Sequence, residues 1–493
     1  MLKYIKVILF SCILINTTLL FSHSHDHSVE KNLKNEEWQI EKLASILETF
    51  KMEEIDPIWP NFDLIELPTT VHFKNGHIYS FGLPLTSKWE KTTVNEMDAH
   101  FCDHDHWGLT KVMMHPSFDI DGEKSFIFQM NSEMSDLNLP LITFVHERFH
   151  LHQFKHFTRH EEKFARYSNE WDEENQILIG VENYLLTQFL EQPEQSIEKK
   201  ELLKDFIAVN AMRQPLLTTP SIAWEDLQQR MEGLADYASL KTFQTYPLLG
   251  EIIVEQAILM MRENKTSSHY SVVNDAIKGR HYFIGSVLGF ALDYYKADWK
   301  LQAEKGVPLR VLLTRAVNIT DSEMHERQIR LKASPEYKKI SSEIRDQLNK
   351  EKQEIELVKQ NYENIEGIVL NVSRPMQPIS GGGINHKNIQ IGEGRTVSIQ
   401  DTSFSSSRDN KWKLRLKNIP IVFEDGSGGR SFKVEKDFIV HVDGNPMKLH
   451  ELKAGSKLYQ FKTISLQDKA CEFTSELPGV LQIIDDELTI LFN

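Results

Sequence analysis

Close to residue 363 the apolar residues of this chain pass from mostly helical spacing to short alternating runs, and that change restricts it to a helix-rich part followed by a strand-rich part. Helical spacing predicts helices over residues 139–157, 173–191, 197–213, 221–245, 250–263 and 279–305, with an earlier amphipathic helix over 36–51. Between residues 52 and 132 the texture is different. Val71 to Lys74 and His77 to Phe81 alternate apolar and polar around Asn75-Gly76, a two-residue hairpin signal, and Ser-Phe-Ile-Phe-Gln-Met at 125–130 reads as a third strand. Residues 321–362 carry many charges and few apolar side chains, which suits a helical linker or a solvated packing helix. From Ile365 onward short alternating runs (412–416, 438–442 before Asp443-Gly444, 488–492) alternate with glycine-rich loops at 381–383 and 428–429. The expected class is α+β: a mostly helical domain with a small N-terminal sheet over 23–320, a charged helical linker over 321–362, and an all-β domain, a sandwich or barrel, over 363–493.

A chain of 493 residues with 40% hydrophobic content has enough apolar surface for large cores. Its formal charge of -15 offers no basic stripe that would neutralise phosphates, so nucleic acid is not an expected partner. Lys3 and Lys6 precede an apolar run from Val7 to Phe21 that stops at a polar Ser-His-Ser-His-Asp-His stretch. This is the order of an export signal over residues 1–22, with an uncleaved anchor as the alternative, and places the mature chain in a periplasmic or secreted setting without a membrane span. Only Cys102 and Cys471 would remain after cleavage, so no disulfide framework is implied.

Residues 146–150 read His-Glu-Arg-Phe-His. Two histidines four apart project from one helical face and can grip one zinc ion, while Glu147 between them is placed to act as general base on a water beside it. Ile142, Val145 and Phe149 share that face, so the imidazoles should point inward. A catalytic zinc needs a third protein ligand, and there are two candidates. His156 has the spacing of the HExxHxxGxxH pattern, but that pattern requires a positive-φ glycine where this chain has Gln153, and Phe154 and Phe157 extend the helix. Glu232 is the other. It lies one helical turn from Asp236, so that the glutamate can bind zinc while the aspartate holds the far nitrogen of a ligand histidine, and Gly233 beside it permits close approach of the two helices.

HExxH followed by ExxxD on a later helix resembles the gluzincins, the thermolysin-like and neprilysin-like metallopeptidases, and Ala235-Asp236 after the glutamate is also similar to the Ste24-type peptidases. The resemblance covers roughly residues 125–240. It implies a zincin-like catalytic domain, one zinc ion at His146, His150 and Glu232, Glu147 as base, Asp236 behind a ligand, and a peptide or protein substrate. Arg148 stands where these peptidases mostly carry an uncharged residue, on a position turned away from the metal face.

Such chemistry also needs a donor for the developing oxyanion. Arg280, His281 and Tyr282 are candidates and Tyr237 is a fourth; Tyr282 is the preferred donor, with a hydroxyl that merely caps buried packing as the equal alternative. The strand at 125–130 is expected to be an edge that pairs with an extended substrate. The β domain is expected to position substrate or attach to a surface. Two further histidine groups have less specific spacing: His23, His25 and His27 form a polar tail with a geometry suited to Cu(II) or Ni(II), and His100 to His106 form a loop rich enough in ligands for a second metal. The alternatives to a gluzincin-like enzyme are an exported metal-binding or structural protein with an inert zinc site, and a metzincin-like peptidase using His156.

Overall fold

The computed structural model describes residues 28–52, 58–84, 86–133, 138–159, 165–245, 258, 273 and 275–364, and beyond them the strands between 368 and 492 with parts of their turns. The expected export signal, His23 to His27, most of the helix expected over 250–263, His160 and the glycines at 382–383 and 428–429 lie outside the described residues. The chain divides into two compact units between Leu348 and Asn349. Its class is α+β, with a helical region, several sheets and a strand-rich C-terminal region.

The first unit opens with helix α1 (Ser28–Met52), followed by strands β1 (Thr69–His72), β2 (Ile78–Phe81), β3 (Glu90–Val94), β4 (Met97–Cys102), β5 (Met114–Ile120) and β6 (Glu123–Gln129). They form one sheet in the order β3-β4-β2-β1-β6-β5, in which β1 and β6 run parallel. The hairpin at Asn75-Gly76 forms, but with three residues in its loop: Phe73 N–H donates to His77 O at 2.9 Å, and Gly76 takes a positive φ of 96°. Such a three-residue loop needs its last residue in the left-handed region, which glycine enters without a Cβ clash.

The strand at 125–130 is present as β6, but it is not an edge. It lies between β1 and β5, and the expectation that it receives an extended substrate is corrected on that ground. The outer strand β5 contains Pro116 and a bulge between His115 and Phe118, irregularities that an edge tolerates because no neighbour needs the missing N–H. Its link to β6 is Asp121-Gly122, both at positive φ (53° and 94°), the tight hairpin turn that this dipeptide favours.

Against the sheet packs helix α2 (Asn138–His156), with the Phe144 ring edge-on to Phe126 at 5.6 Å and to Phe128 at 5.8 Å. Helices α3 (Glu173–Glu191), α4 (Ile197–Arg213) and α5 (Thr219–Gln228) begin at Asp172, Ser196 and Thr218, whose side chains accept from backbone N–H groups of the first turn. Rather than running on to 245 as one α-helix, α5 passes through a π turn at Gln229–Gly233 before α6 (Leu234–Thr245). A second π turn, Asp275–Gly279, leads into α7 (Arg280–Tyr294). The helix expected over 279–305 is broken after α7, where Lys296 adopts a positive φ of 53°, and resumes as α8 (Lys300–Glu304).

Two buried arginines and two buried glutamates tie four of these helices together. Arg213 on α4 donates to Glu182 on α3 at 3.1 Å and, through both terminal nitrogens, to Glu225 on α5 at 2.8 and 2.5 Å. Arg280 on α7 reaches the same two carboxylates. Four buried charges that sum to zero and bond in pairs avoid the penalty of an isolated buried ion. They also fix the relative register of α5 and α7, which carry the residues discussed below.

After α9 (Leu309–Val317), residues 321–362 form two helices, α10 (Asp321–Ala333) and α11 (Pro335–Asn364), parted where Pro335 follows Ser334. Arg327 of α10 pairs with Glu201 and Asp205 of α4 at 2.5 and 2.7 Å, so this stretch is a packing helix at its start. The second unit has an eight-stranded and a seven-stranded sheet. Leu370, Phe432, Leu481 and Ile490 of one sheet share a core with Trp412, Val440, Leu466 and Phe473 of the other, which makes it a β-sandwich. Among the described residues no helix is long and apolar enough to cross a membrane.

Candidate metal centre

The inward face of α2 is set by its sequence. Val145 and Phe149 are fully buried, and His146 and His150 beside them are each 4% exposed. From the π turn after α5 comes Glu232, 2% exposed. One Glu232 carboxylate oxygen, Oε2, stands 3.5 Å from His146 Nε2 and 3.4 Å from His150 Nε2. These three ligand atoms form a group able to hold a metal ion, and among the described residues the other histidine clusters do not converge in this way.

The spacing suits a shared metal ion. A charged N–H···O bond closes to about 2.7–2.9 Å. Ligand atoms at about 2.0–2.2 Å from a tetrahedral ion lie about 3.3–3.6 Å from one another, and both histidine–glutamate separations fall in that range.

The outer nitrogens of the rings complete the test. His146 Nδ1 is 2.7 Å from Asp236 Oδ1, and His150 Nδ1 is 2.6 Å from Gln153 Oε1. An oxygen acceptor at Nδ1 requires a proton there, so in a neutral ring the lone pair is on Nε2, facing Glu232. Two lone pairs and a carboxylate aimed at one point fit a divalent cation. Burial pushes the Glu232 carboxyl up, but positive charge at His150 and His146 outweighs it and holds the group well below the usual carboxylate range.

Gln153, whose presence argued against a glycine-dependent third histidine, takes a part that the sequence does not announce. Its Nε2 donates to the carbonyls of Arg230 and Met231, at 2.9 and 2.8 Å, in the turn that carries Glu232. The visible signal was its position three residues after His150 on the same helical face.

His156 is exposed at the end of α2, stacked on the His152 ring at 4.4 Å and outside the metal group. His152 itself is buried, bonding Glu304 at 3.2 Å. The group at 100–106 is divided: Cys102 is buried with a free thiol, and Asp105 accepts from Leu109 and Thr110 N–H to close a turn. Cys471 is likewise outside any disulfide.

Of the four oxyanion candidates, Tyr282 is the one at the site. Its ring lies nearly parallel to that of His146 (12°), with centroids 6.2 Å apart. Tyr237 donates instead to Asp293 at 2.7 Å, packed against Trp59 and Trp299. Arg280 belongs to the charge quartet, and His281 bonds the Ala276 carbonyl, with burial pushing its imidazole down to about 3.

Gly233 does permit close helix contact, but with α7 rather than α2. A Cβ there would overlap the Gly285 backbone and lie 2.7 Å from His281 O. The Gly233–Gly285 pair therefore lets the helices bearing Glu232 and Tyr282 meet backbone to backbone.

Arg148 turns away from the metal face as expected, yet it is buried. It packs on Phe126 at 4.6 Å, donates to Leu67 O at 2.8 Å and to Thr69, and so pins α2 to the start of β1; burial pushes its guanidinium down to about 9. Glu147 is also buried, 4% exposed, on α2 between the two histidines. No protein-family model, curated protein or solved structure matches this chain.

Proposed function

We propose that this chain is an exported, zinc-dependent metallohydrolase of gluzincin-like design that cleaves peptide bonds. The observation that carries the reading is the convergence of His146 Nε2, His150 Nε2 and Glu232 Oε2, with each ring held at Nδ1 so that its lone pair faces the others. Two imidazoles and one carboxylate form a zinc donor set that leaves one tetrahedral position open. Zinc bound there would supply Lewis acidity, polarising a scissile carbonyl and making water acidic enough to ionise near neutral pH.

The protein's own groups provide the rest. Glu147 takes the proton of the attacking water and delivers it to the leaving nitrogen, since a carboxylate placed between the ligands reaches both. Asp236 holds His146 in one tautomer and orientation. Tyr282, beside His146, donates its hydroxyl to the oxyanion that develops on the substrate carbonyl. Burial of the ligands keeps bulk water from screening these interactions. Lys3, Lys6 and the apolar run after them support export, and the sandwich is assigned to surface attachment or substrate positioning.

Glu147→Gln tests the assignment. The variant should retain one zinc per chain by elemental analysis and lose peptide hydrolysis by about 10²-fold or more. Equal turnover by variant and wild type, on a mixture of peptides, would remove Glu147 from the chemistry and leave an inert metal site.

A further inference from the structure

We infer that Gln153 is a positioning residue of the metal centre, one side chain that sets both the orientation of His150 and the place of the turn bearing Glu232. The inference rests on reading the His146–His150–Glu232 group as a metal site. It adds to the motif a third position, so that residues 146, 150 and 153 act from one helical face at i, i+4 and i+7.

The hydrogen-bond arithmetic leaves one arrangement. The carbonyls of Arg230 and Met231 lie 2.9 and 2.8 Å from one end of the Gln153 amide, and two carbonyls can be met only by its two N–H donors. The opposite end is therefore Oε1, an acceptor, 2.6 Å from His150 Nδ1. An acceptor there requires the proton to be on Nδ1, and the lone pair of the neutral ring is thereby directed to Nε2 and the metal. The peptide carbonyls of one helix thus decide the tautomer of a histidine on another.

No other side chain at 153 does both jobs. Glutamate keeps an acceptor for His150 but turns a carboxylate against two carbonyls. Alanine supplies neither function. The carbonyls concerned lie in a π turn, where the regular i→i+4 ladder is interrupted and an outside donor helps to hold the geometry. Gln153 is fully buried, so water does not stand in for it. The sequence consequence is that the glutamate ligand and the second histidine are set jointly, through a residue outside both motifs.

The test uses the full chain stripped of metal, with zinc and cobalt(II) as probes. Zinc affinity is measured by competition with a chromophoric chelator, and ligand geometry by the visible spectrum of the cobalt(II) form. Gln153→Ala should weaken zinc binding about 10- to 100-fold and lower the intensity of the four-coordinate cobalt bands. Gln153→Glu separates the two jobs and carries the test if the alanine variant does not fold. It should weaken zinc binding about 10-fold or more despite its retained acceptor for His150. A merely packing role would alter the urea midpoint of the metal-free protein without changing the cobalt spectrum. Wild-type affinity and an unchanged spectrum in Gln153→Glu would overturn the inference while leaving the metal site in place. Failure of the wild type to take up zinc or cobalt would instead overturn the metal-site reading on which it rests.

Discussion

At His146 the atom that matters is the one turned away from the ligand group. Nδ1 meets Asp236 Oδ1 at 2.7 Å, and this bond decides which way the ring faces and which nitrogen is turned towards Glu232. Asp236→Ala should therefore leave the helices in place yet weaken zinc binding about 10- to 100-fold, as read by chelator competition. An affinity equal to that of wild type would mean that packing against Tyr282 alone orients the ring. At this scale the sequence was readable where spacing encodes geometry. His146 and His150 are one turn apart, and Glu232 and Asp236 repeat that interval. Gln153 was not readable, because its meaning depends on meeting Arg230 and Met231 carbonyls from a distant helix, and no local pattern encodes that encounter. Arg148 was placed on the correct side of its helix. Its burial against Phe126 and β1 depends on a sheet whose order is a tertiary fact.

Among elements, the contact of α5 and its π turn with α7 is the one most exposed to disruption. Gly233→Ala puts a methyl group into the Gly285 backbone, which is not the flexible end of a side chain and cannot turn aside. The expected cost is about 1–3 kcal/mol or more, together with weaker zinc binding as the turn bearing Glu232 is displaced; urea unfolding and metal titration check both. The charge quartet gives a second case. Arg280→Met leaves Glu182 and Glu225 facing a single guanidinium, and breaking a buried pair of this kind costs about 3–5 kcal/mol.

The same quartet fixes a pH dependence. Burial raises the Glu225 carboxyl, but Arg213 and Arg280 outweigh it and hold it at about 2, against an ordinary value of 4.5. A carboxyl depressed in the folded state binds its proton more readily when unfolded. Its contribution is thus complete above pH 4.5 and is lost as pH falls towards 2. Unfolding midpoints measured across that window should fall more steeply in wild type than in a Glu225→Gln, Arg280→Met double variant.

Helix positions were largely legible because apolar periodicity reports burial directly, as at Glu173–Glu191 and Ile197–Arg213. Their interruptions were not. A π turn preserves the apolar character of its neighbours, and the break at Lys296 lacks a glycine or proline. Strands β3 to β5 escaped notice for related reasons: the turn between β3 and β4 is Asn95-Glu96, both at positive φ without glycine, and Pro116 disguises β5.

At the scale of the molecule, the two units have separate cores. The large cluster around Trp59, Phe149 and Leu288 draws on residues before 349, and the sandwich core begins at Leu370. A chain ending at Asn364 should accordingly remain folded and bind zinc with the affinity of the full protein; a loss of zinc on truncation would show that the sandwich supports the site. The change of period near residue 363 follows α11, whereas the units divide within that helix, between Leu348 and Asn349. It did not foretell that residues after 321 would start as a helix clamped to α4 by Arg327.

The π turn at Gln229–Gly233 has a consequence for which changes the chain can accept. A turn of this kind holds one residue more than the α-helix on either side of it. The turn absorbs that residue locally, so its loss would leave the helix beyond it facing as before, whereas deleting Leu234 or Ala235 from the regular helix that follows would rotate everything downstream by about 100°. Asp236 would swing away from His146, and Tyr237 from Asp293 and Trp59, in the same movement. Here the number of residues between Glu232 and Asp236 is as much a part of the site as their identity.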